Sequence, residues 1–444
     1  MRLGPASLAE LPGEVAVGAY DRDAQAVGIV HFGIGAFHRA HMAWYTDLAL
    51  AAGERDWLIS GVSLRSKAVA QQLNPQSGYY TLTERSREGA STRLIGSVYE
   101  VLFAPEAGGC VVSRIADSSC RIVSFTVTEK GYARAGDGTL DVPLAEASFY
   151  PLLTQGLARR RDQGLPGLTL LSCDNLADNG RVLEHLMRQW LAARAPDLLD
   201  WFDAECSVPS TMIDRIVPRT SAEDRAELAE RIGLDDAGAV FAEPFSQWVI
   251  EDDFANGRPA WENHGAQLVA DVSPYETAKL RMLNGAHSLL AYCGLKAGHA
   301  FVHEAVADPN LRDLASRLML EEAAPTIDPA EGQDLAAYAA ALLARFANPA
   351  LRHSLAQIAM DGTQKIPQRW LDTALARRKA GFGSPVIEVA FDAWLWHIGD
   401  GRFVDDPHGD DLQRIATAGG RDAAMAHCFG KLWPDYAGLA ECLS

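Results

Sequence analysis

The chain has 444 residues and a formal net charge of −18. That length exceeds what one core usually holds, so two or three domains are expected. The charge argues against nucleic acid as a partner, because phosphate binding needs clustered Lys and Arg. Hydrophobic residues at 48% and charged residues at 22% supply a large core.

No run approaches about 18 apolar residues, so no membrane span is expected. Residues 1–15 lack a charged region followed by an apolar one, so no secretion signal is expected. The seven cysteines, at 110, 120, 173, 206, 293, 428 and 442, are scattered and form no C-x-x-C pair. They read as reduced thiols of a cytoplasmic protein, and their spacing disfavours a zinc site.

In chain order, apolar runs bounded by turn residues occur at 27–32, 57–64, 122–128 and 168–172. Such runs suit buried parallel strands. Helical patterns at 40–52 and 180–194 fall between or after them, and this alternation predicts a doubly wound sheet. After about residue 270 the texture changes. Residues 275–296, 310–322, 334–347 and 384–397 are apolar at helical spacing, with joints at 308–310 and 348–349. The segment from Asp405 onward carries no clear period. There is no internal repeat. The expected fold class is α/β: a Rossmann-like, doubly wound domain over residues 1–270, then a mostly helical domain over 271–444.

The first predicted strand runs into His31-Phe32-Gly33-Ile34-Gly35-Ala36-Phe37-His38, and a helix follows. Gly33 and Gly35 fit the first two positions of a dinucleotide fingerprint, where a tight turn and close backbone approach are needed. His38 takes the third glycine position. The helix start offers N–H groups to a pyrophosphate. The cofactor stretch is therefore Gly33, Ile34, Gly35, Ala36, Phe37 and His38.

The second strand ends in Arg65-Ser66-Lys67, and no Asp or Glu lies between Ser60 and Gln72. An NAD site normally places an acid near this point for the ribose hydroxyls. Arg65 and Lys67 are placed to face a 2′-phosphate instead, the alternative being two solvated cations. NADP is expected to be at least tolerated beside NAD.

Four blocks make the reading more specific: Gly33-Ile-Gly-Ala-Phe-His-Arg-Ala-His41, Thr126-Val-Thr-Glu-Lys-Gly-Tyr132, Ser172-Cys-Asp-Asn-Leu-Ala-Asp-Asn-Gly180 followed by Met212-Ile-Asp-Arg-Ile-Val-Pro218, and Lys279-Leu-Arg-Met-Leu-Asn-Gly-Ala-His287. Together they resemble the polyol-specific long-chain dehydrogenases, the family of mannitol 2-dehydrogenase and fructuronate reductase. The run Met360-Asp-Gly-Thr-Gln-Lys-Ile-Pro-Gln-Arg369 is similar to the uronate (fructuronate/D-mannonate) branch. Ser63-Leu-Arg-Ser66 is more like the mannitol branch, and the C-terminal part is shorter than in typical members.

The resemblance implies a hydride exchange between nicotinamide and a secondary alcohol. In it Lys279 is the general acid/base, and Asn175 and Asn284 polarise the substrate oxygen. His287 binds a substrate hydroxyl, Glu276 relays the proton, and Asp214 lies near the substrate. Thr128 and Glu129 lie at the cofactor. The implied chemistry needs no metal, since amides replace it at the oxygen.

At about 100° per residue, Glu276, Lys279, Leu283 and His287 share one face of an ideal helix, but Asn284 lies about 140° from Lys279. Either Asn284 reaches across, or the Asn284-Gly285 pair breaks the helix. Lys365 and Arg369 lie one helical turn apart if their run is helical, and one of them is expected to grip a substrate carboxylate. The expected partner is a small molecule, a sugar acid or, as the alternative, a polyol such as mannitol, arabinitol or sorbitol; a phosphorylated polyol and a cofactor-binding regulator without turnover are further readings. A monomer is compatible with the sequence.

Overall fold

The computed structural model describes residues 1–350, 352–399 and 404–443. The chain divides into two compact units, Met1–Val272 and Ser273–Ser444. In the first, five parallel strands lie side by side in the order Val98–Phe103, Leu58–Ser63, Val27–Phe32, Ile122–Phe125, Thr169–Ser172. Counted along the chain this order is 3-2-1-4-5. It belongs to the doubly wound nucleotide-binding architecture, whose winding reverses between the first and fourth strands.

The central strands are apolar on both faces because both faces are covered. Ile29, Leu58 and Ile59 enter one core with Ala43 and Leu50; Val30, Phe32, Val62 and Phe125 enter the other with Val111, Leu153 and Leu183. The predicted run 122–128 stops being a strand at Phe125. Beyond it the Val127 and Thr128 N–H groups turn to the Asp174 carboxylate.

Val98–Phe103 was not among the predicted runs. It is the edge of the sheet, with Val98 and Val101 buried and Tyr99 43% exposed, so it lacks the unbroken apolar run of a central strand. The hairpin Tyr80–Ser86/Gly89–Ile95 is also additional. It forms a four-stranded sheet with Ala16–Val17 and Val240–Ala242. A three-stranded sheet joins Thr211–Asp214, Gln247–Glu251 and Gln267–Val269.

Among the described residues of the second unit the regular elements are helices, apart from an isolated bridge between Phe301 and Ser354. Its axis is the helix Gly285–Ala297, in which every residue from Gly285 to Gly294 is buried. A helix apolar all round needs neighbours all round. Val302–Ala307, Pro309–Arg317, Leu355–Ile358 and Pro385–Gly399 supply them. The joint before Pro309 is a cap: the Asp308 carboxylate accepts the Asn310 N–H at 2.8 Å. Glu322, 1% exposed, accepts the Val386 and Ile387 N–H groups at 2.7 and 3.0 Å and so caps the helix Pro385–Gly399. The segment after Asp405 holds a helix, Gly409–His427, bent at Gly420.

Candidate active site

The first strand ends at Gly33, whose φ is +95°, and a Cβ there would collide with the Thr126 carbonyl. Only glycine fits both demands. The turn is tied down on each side. Gly33 N–H donates to Val62 O at 2.9 Å, Gly35 N–H to Gly33 O at 2.6 Å, and the Thr126 hydroxyl to Gly33 O at 2.6 Å. His31 lies beneath, its ring nitrogens 2.8 Å from Ser124 Oγ and from Thr126 Oγ1. Burial lowers the His31 pKa to about 3, so the ring is neutral.

A cleft of about 480 Å³ opens where the first and fourth strands part. Gly33, Ile34 and Gly35 line one wall, Ser63–Ser66 and Val69 a second, and Thr126–Thr128 a third. Its charged lining residues are Arg65 and Lys130; no Asp or Glu takes part. Within a chain of net charge −18, this is a local basic recess at the switch point. Backbone N–H groups, a glycine turn and cations together suit a pyrophosphate.

Of the residues expected at the cofactor, Gly33, Ile34, Gly35, Arg65 and Thr128 line this cleft. Ala36, Phe37, His38, Lys67 and Glu129 do not. Ala36–Ala40 is a short helix leading away from the turn, and Phe37 stacks on His41. His38 is fully buried, stacked on His31 with ring centroids 3.4 Å apart, so its ring belongs to the core. Lys67 pairs with Glu106 and lies over the Phe103 ring. Both side chains of the pair are exposed, and Lys67 is not among the residues that line the cleft. Glu129 is exposed.

Asn175 follows the fifth strand and is exposed. The residue before it builds the loop. Asp174 accepts from Val127 N–H at 3.0 Å, Thr128 N–H at 2.8 Å and Tyr132 OH at 2.8 Å, and so clamps the ends of the fourth and fifth strands together. Burial raises its pKa, while these donors pull it back. Asn179 closes the turn by donating to Asp174 O at 3.0 Å and Thr211 O at 2.9 Å. Asp214 is buried, 7% exposed, at the end of Thr211–Asp214. The adjacent Arg215 is held by Glu84 and by the carbonyls of Ala40 and Glu243.

In the second unit Lys279, Asn284 and His287 are 8%, 9% and 7% exposed. Glu276, one turn before Lys279, is half-buried. The helix neither breaks at Asn284-Gly285 nor keeps its ordinary pitch: Lys279–Asn284 is a π-helical stretch. Its hydrogen bonds run from i to i+5, so residues five apart come onto one face. That widening brings Asn284 to the Lys279 side, and the α-helix resumes at Gly285.

Two other π stretches, Leu318–Ala323 and Pro367–Leu371, pack against Lys279–Asn284. A Cβ on Gly285 would stand 3.1 Å from Arg369 O, and Trp370 Nε1 donates to Gly285 O at 3.0 Å. This places Arg369 beside the Lys279–His287 segment, where its guanidinium donates to Ser288 Oγ at 2.8 Å. Burial lowers the Arg369 pKa to about 10. The His287 pKa is held well below its usual value, first by burial and then by His353 and Arg369. Lys365 donates to Met360 O at 2.6 Å and stands 3.7 Å from the Asp361 carboxylate. Asp174, which braces the loop after the fifth strand, and Lys130, which lines the cleft, are residues that the motif reading did not single out.

A family model described as the mannitol dehydrogenase Rossmann domain matches residues 27–263, and one described as the mannitol dehydrogenase C-terminal domain matches residues 271–418. The chain is 42% identical to D-mannonate oxidoreductase of Escherichia coli (strain K12) over 410 residues, covering 87% of this chain and 84% of that protein. Among solved structures, Pseudomonas fluorescens mannitol 2-dehydrogenase, in ternary complex with NAD and D-mannitol, is 34% identical with a TM-score of 0.86, covering 100% of this chain and 95% of that one. D-sorbitol dehydrogenase in its substrate-free form is 32% identical with a TM-score of 0.92, covering 100% and 96%.

Removing the Asp174 carboxylate leaves two backbone donors without their acceptor and takes from the buried Tyr132 phenol one of its two partners, Ser172 Oγ remaining at 2.6 Å. Asp174→Ala is expected to cost about 3 kcal/mol of stability, read as a lower denaturant midpoint, and an unchanged midpoint would show that the clamp is dispensable.

Proposed function

This chain belongs to the mannitol dehydrogenase family, and from that premise we propose that it is a nicotinamide-dependent oxidoreductase acting on the secondary alcohol of an acyclic sugar acid, of the D-mannonate/D-fructuronate kind. One observation carries the substrate class. Arg369 is half-buried, its guanidinium donates to a serine hydroxyl, and it has no carboxylate partner among the described residues. A partly desolvated cation without a counter-charge gains when an anionic ligand supplies one. Lys365 already has Asp361 and a carbonyl, which leaves Arg369 for the substrate carboxylate. The 42% identity to D-mannonate oxidoreductase supports the same class.

Gly33, Gly35, Arg65, Thr128 and Lys130 would hold the dinucleotide, whose nicotinamide supplies or accepts the hydride when bound. The glycine cradle and the acid-free lining fit NAD or NADP. Lys279 takes the hydroxyl proton at Nζ in oxidation and returns it in reduction. To take a proton it must first be uncharged, which burial favours. Asn284 donates its amide to the oxygen as negative charge develops, without competing for the proton. Asn175 is assigned the same role, and Asp214 a place near the substrate. Glu276 passes the proton from Lys279 to solvent. His287 holds a hydroxyl, and Arg369 fixes the acid end.

The second reading is a polyol dehydrogenase. It is favoured by the likeness over the whole chain to the mannitol and sorbitol enzymes.

Lys279→Ala is expected to lower kcat by about a thousandfold or more, with dinucleotide affinity within about threefold; near-normal turnover removes Lys279 from the role. Arg369→Ala is expected to raise KM for mannonate about a hundredfold. If the wild-type protein turns over mannitol and ignores mannonate, the polyol reading replaces the acid one. Arg65→Ala is expected to cost about tenfold in kcat/KM with NADP and less than about threefold with NAD. A wild-type preference for NAD beyond about a hundredfold would overturn the 2′-phosphate role of Arg65.

A further inference from the structure

His353 lies far along the chain from every block that identifies the site, yet its ring stands edge-on to His287, with centroids 5.2 Å apart and planes at 88°. Each ring keeps one buried nitrogen with no protein partner among the described residues: Nε2 on His287 and Nδ1 on His353. Leaving a buried polar atom unpaired is unfavourable, and here two such atoms belong to touching rings. Phe346 lies tilted against His287, with ring centroids 4.5 Å apart, so the wall beside the histidines is apolar.

The position of His353 is built. Its carbonyl accepts the Val302 N–H at 3.0 Å, the next residue forms a bridge with Phe301, and Leu355 N–H donates to Ala300 O at 3.0 Å. Ser354 then caps the helix Leu355–Ile358. A loop held on both sides by backbone bonds presents its side chain in a fixed place.

We propose that His353 is a second substrate-binding histidine, which shares with His287 the recognition of a hydroxyl on the acyclic chain next to the group that Arg369 holds. The inference rests on the sugar-acid reading above. Burial lowers the pKa of both imidazoles, and His353 and Arg369 lower that of His287 further. Neutral rings offer one donor and one acceptor each, which matches a hydroxyl. A carboxylate only accepts, and it falls to the guanidinium.

The test compares the wild-type protein with His353→Phe, which keeps an aromatic edge without nitrogen, and with His353→Asn, whose amide stands near the place of Nδ1. Mannonate and mannitol are the substrates, and the dinucleotide Kd is measured alongside. His353→Phe is expected to raise KM for the turned-over substrate about tenfold or more with kcat within about threefold, and His353→Asn to recover most of the loss. Substrate lacking the contacted hydroxyl should bind the wild type as weakly as His353→Phe binds the full substrate. A merely structural role would move the melting temperature and kcat together and would not be rescued by Asn. An unchanged KM in folded His353→Phe overturns the proposal; if that variant does not fold, His353→Ala in the same assay decides. Wild-type protein that turns over neither substrate counts against the sugar-acid reading itself. Wild-type turnover with an indifferent position 353 counts only against this inference.

Discussion

A helix of ordinary pitch puts positions five apart on different faces, and an amine and an amide so placed cannot act on one oxygen. Between Lys279 and Asn284 the backbone widens by one residue per turn and then recovers at Gly285. Such bulges are rare and are found disproportionately at functional sites, because the ladder loses some of its regular bonding. The widening here is held from outside. Gly285 leaves room for the backbone at Arg369, and the Trp370 indole bonds the Gly285 carbonyl. Two π stretches therefore lock against each other, and the second delivers Arg369 to the first. Changing the pitch of either would separate the groups on which the proposed chemistry rests.

The arrangement is set into an apolar core, which makes it expensive. Lys279, Asn284 and His287 interrupt a segment in which Met282, Leu283, Ala286, Leu289 and Leu290 are all buried. Polar groups at such depth destabilise the fold unless each finds a partner. The surrounding helices offset this with large side chains such as Trp370, Phe391 and Trp394. Local sequence rules are broken where function is concentrated and obeyed in the shell around it.

This explains which parts were readable in advance. The central strands announced themselves as apolar runs, and the glycine turn followed from its place after the first of them. The helices at 309–323 and 335–346 were legible from their apolar period and the joints beside them. The edge strand Val98–Phe103 was not, because one side of it meets solvent and only Val98 and Val101 are buried. The π stretches were invisible, since a widening of the helix is decided by what packs on it and leaves no composition signal. The Lys279–Asn284 problem did show in the sequence as a mismatch of angles, and the structure resolves it by a third route. The pairing of Lys67 with Glu106 was not legible, because Glu106 lies in a helix that sequence spacing alone does not bring near. His353 escaped because its relation to His287 is purely tertiary.

The same physics bears on specificity. The chain carries a net charge of −18, yet screening at physiological salt limits the reach of exposed charges to about 8 Å. What an anionic ligand meets is therefore the local set: Arg65 and Lys130 in the cleft of the first unit, Arg369 in the second. A site that leaves a half-buried guanidinium without a counter-charge does more than attract an acid. It also discriminates against a neutral chain of the same length, because binding that chain seals the charge from water and returns nothing. Pockets built around a polar partner reject the analogue lacking it far more strongly than apolar pockets reject an added group. Under the proposed reading, selection between sugar acid and polyol thus lies in the charge state and partnering of one side chain, while the proton-handling groups on the neighbouring π stretch serve either substrate alike.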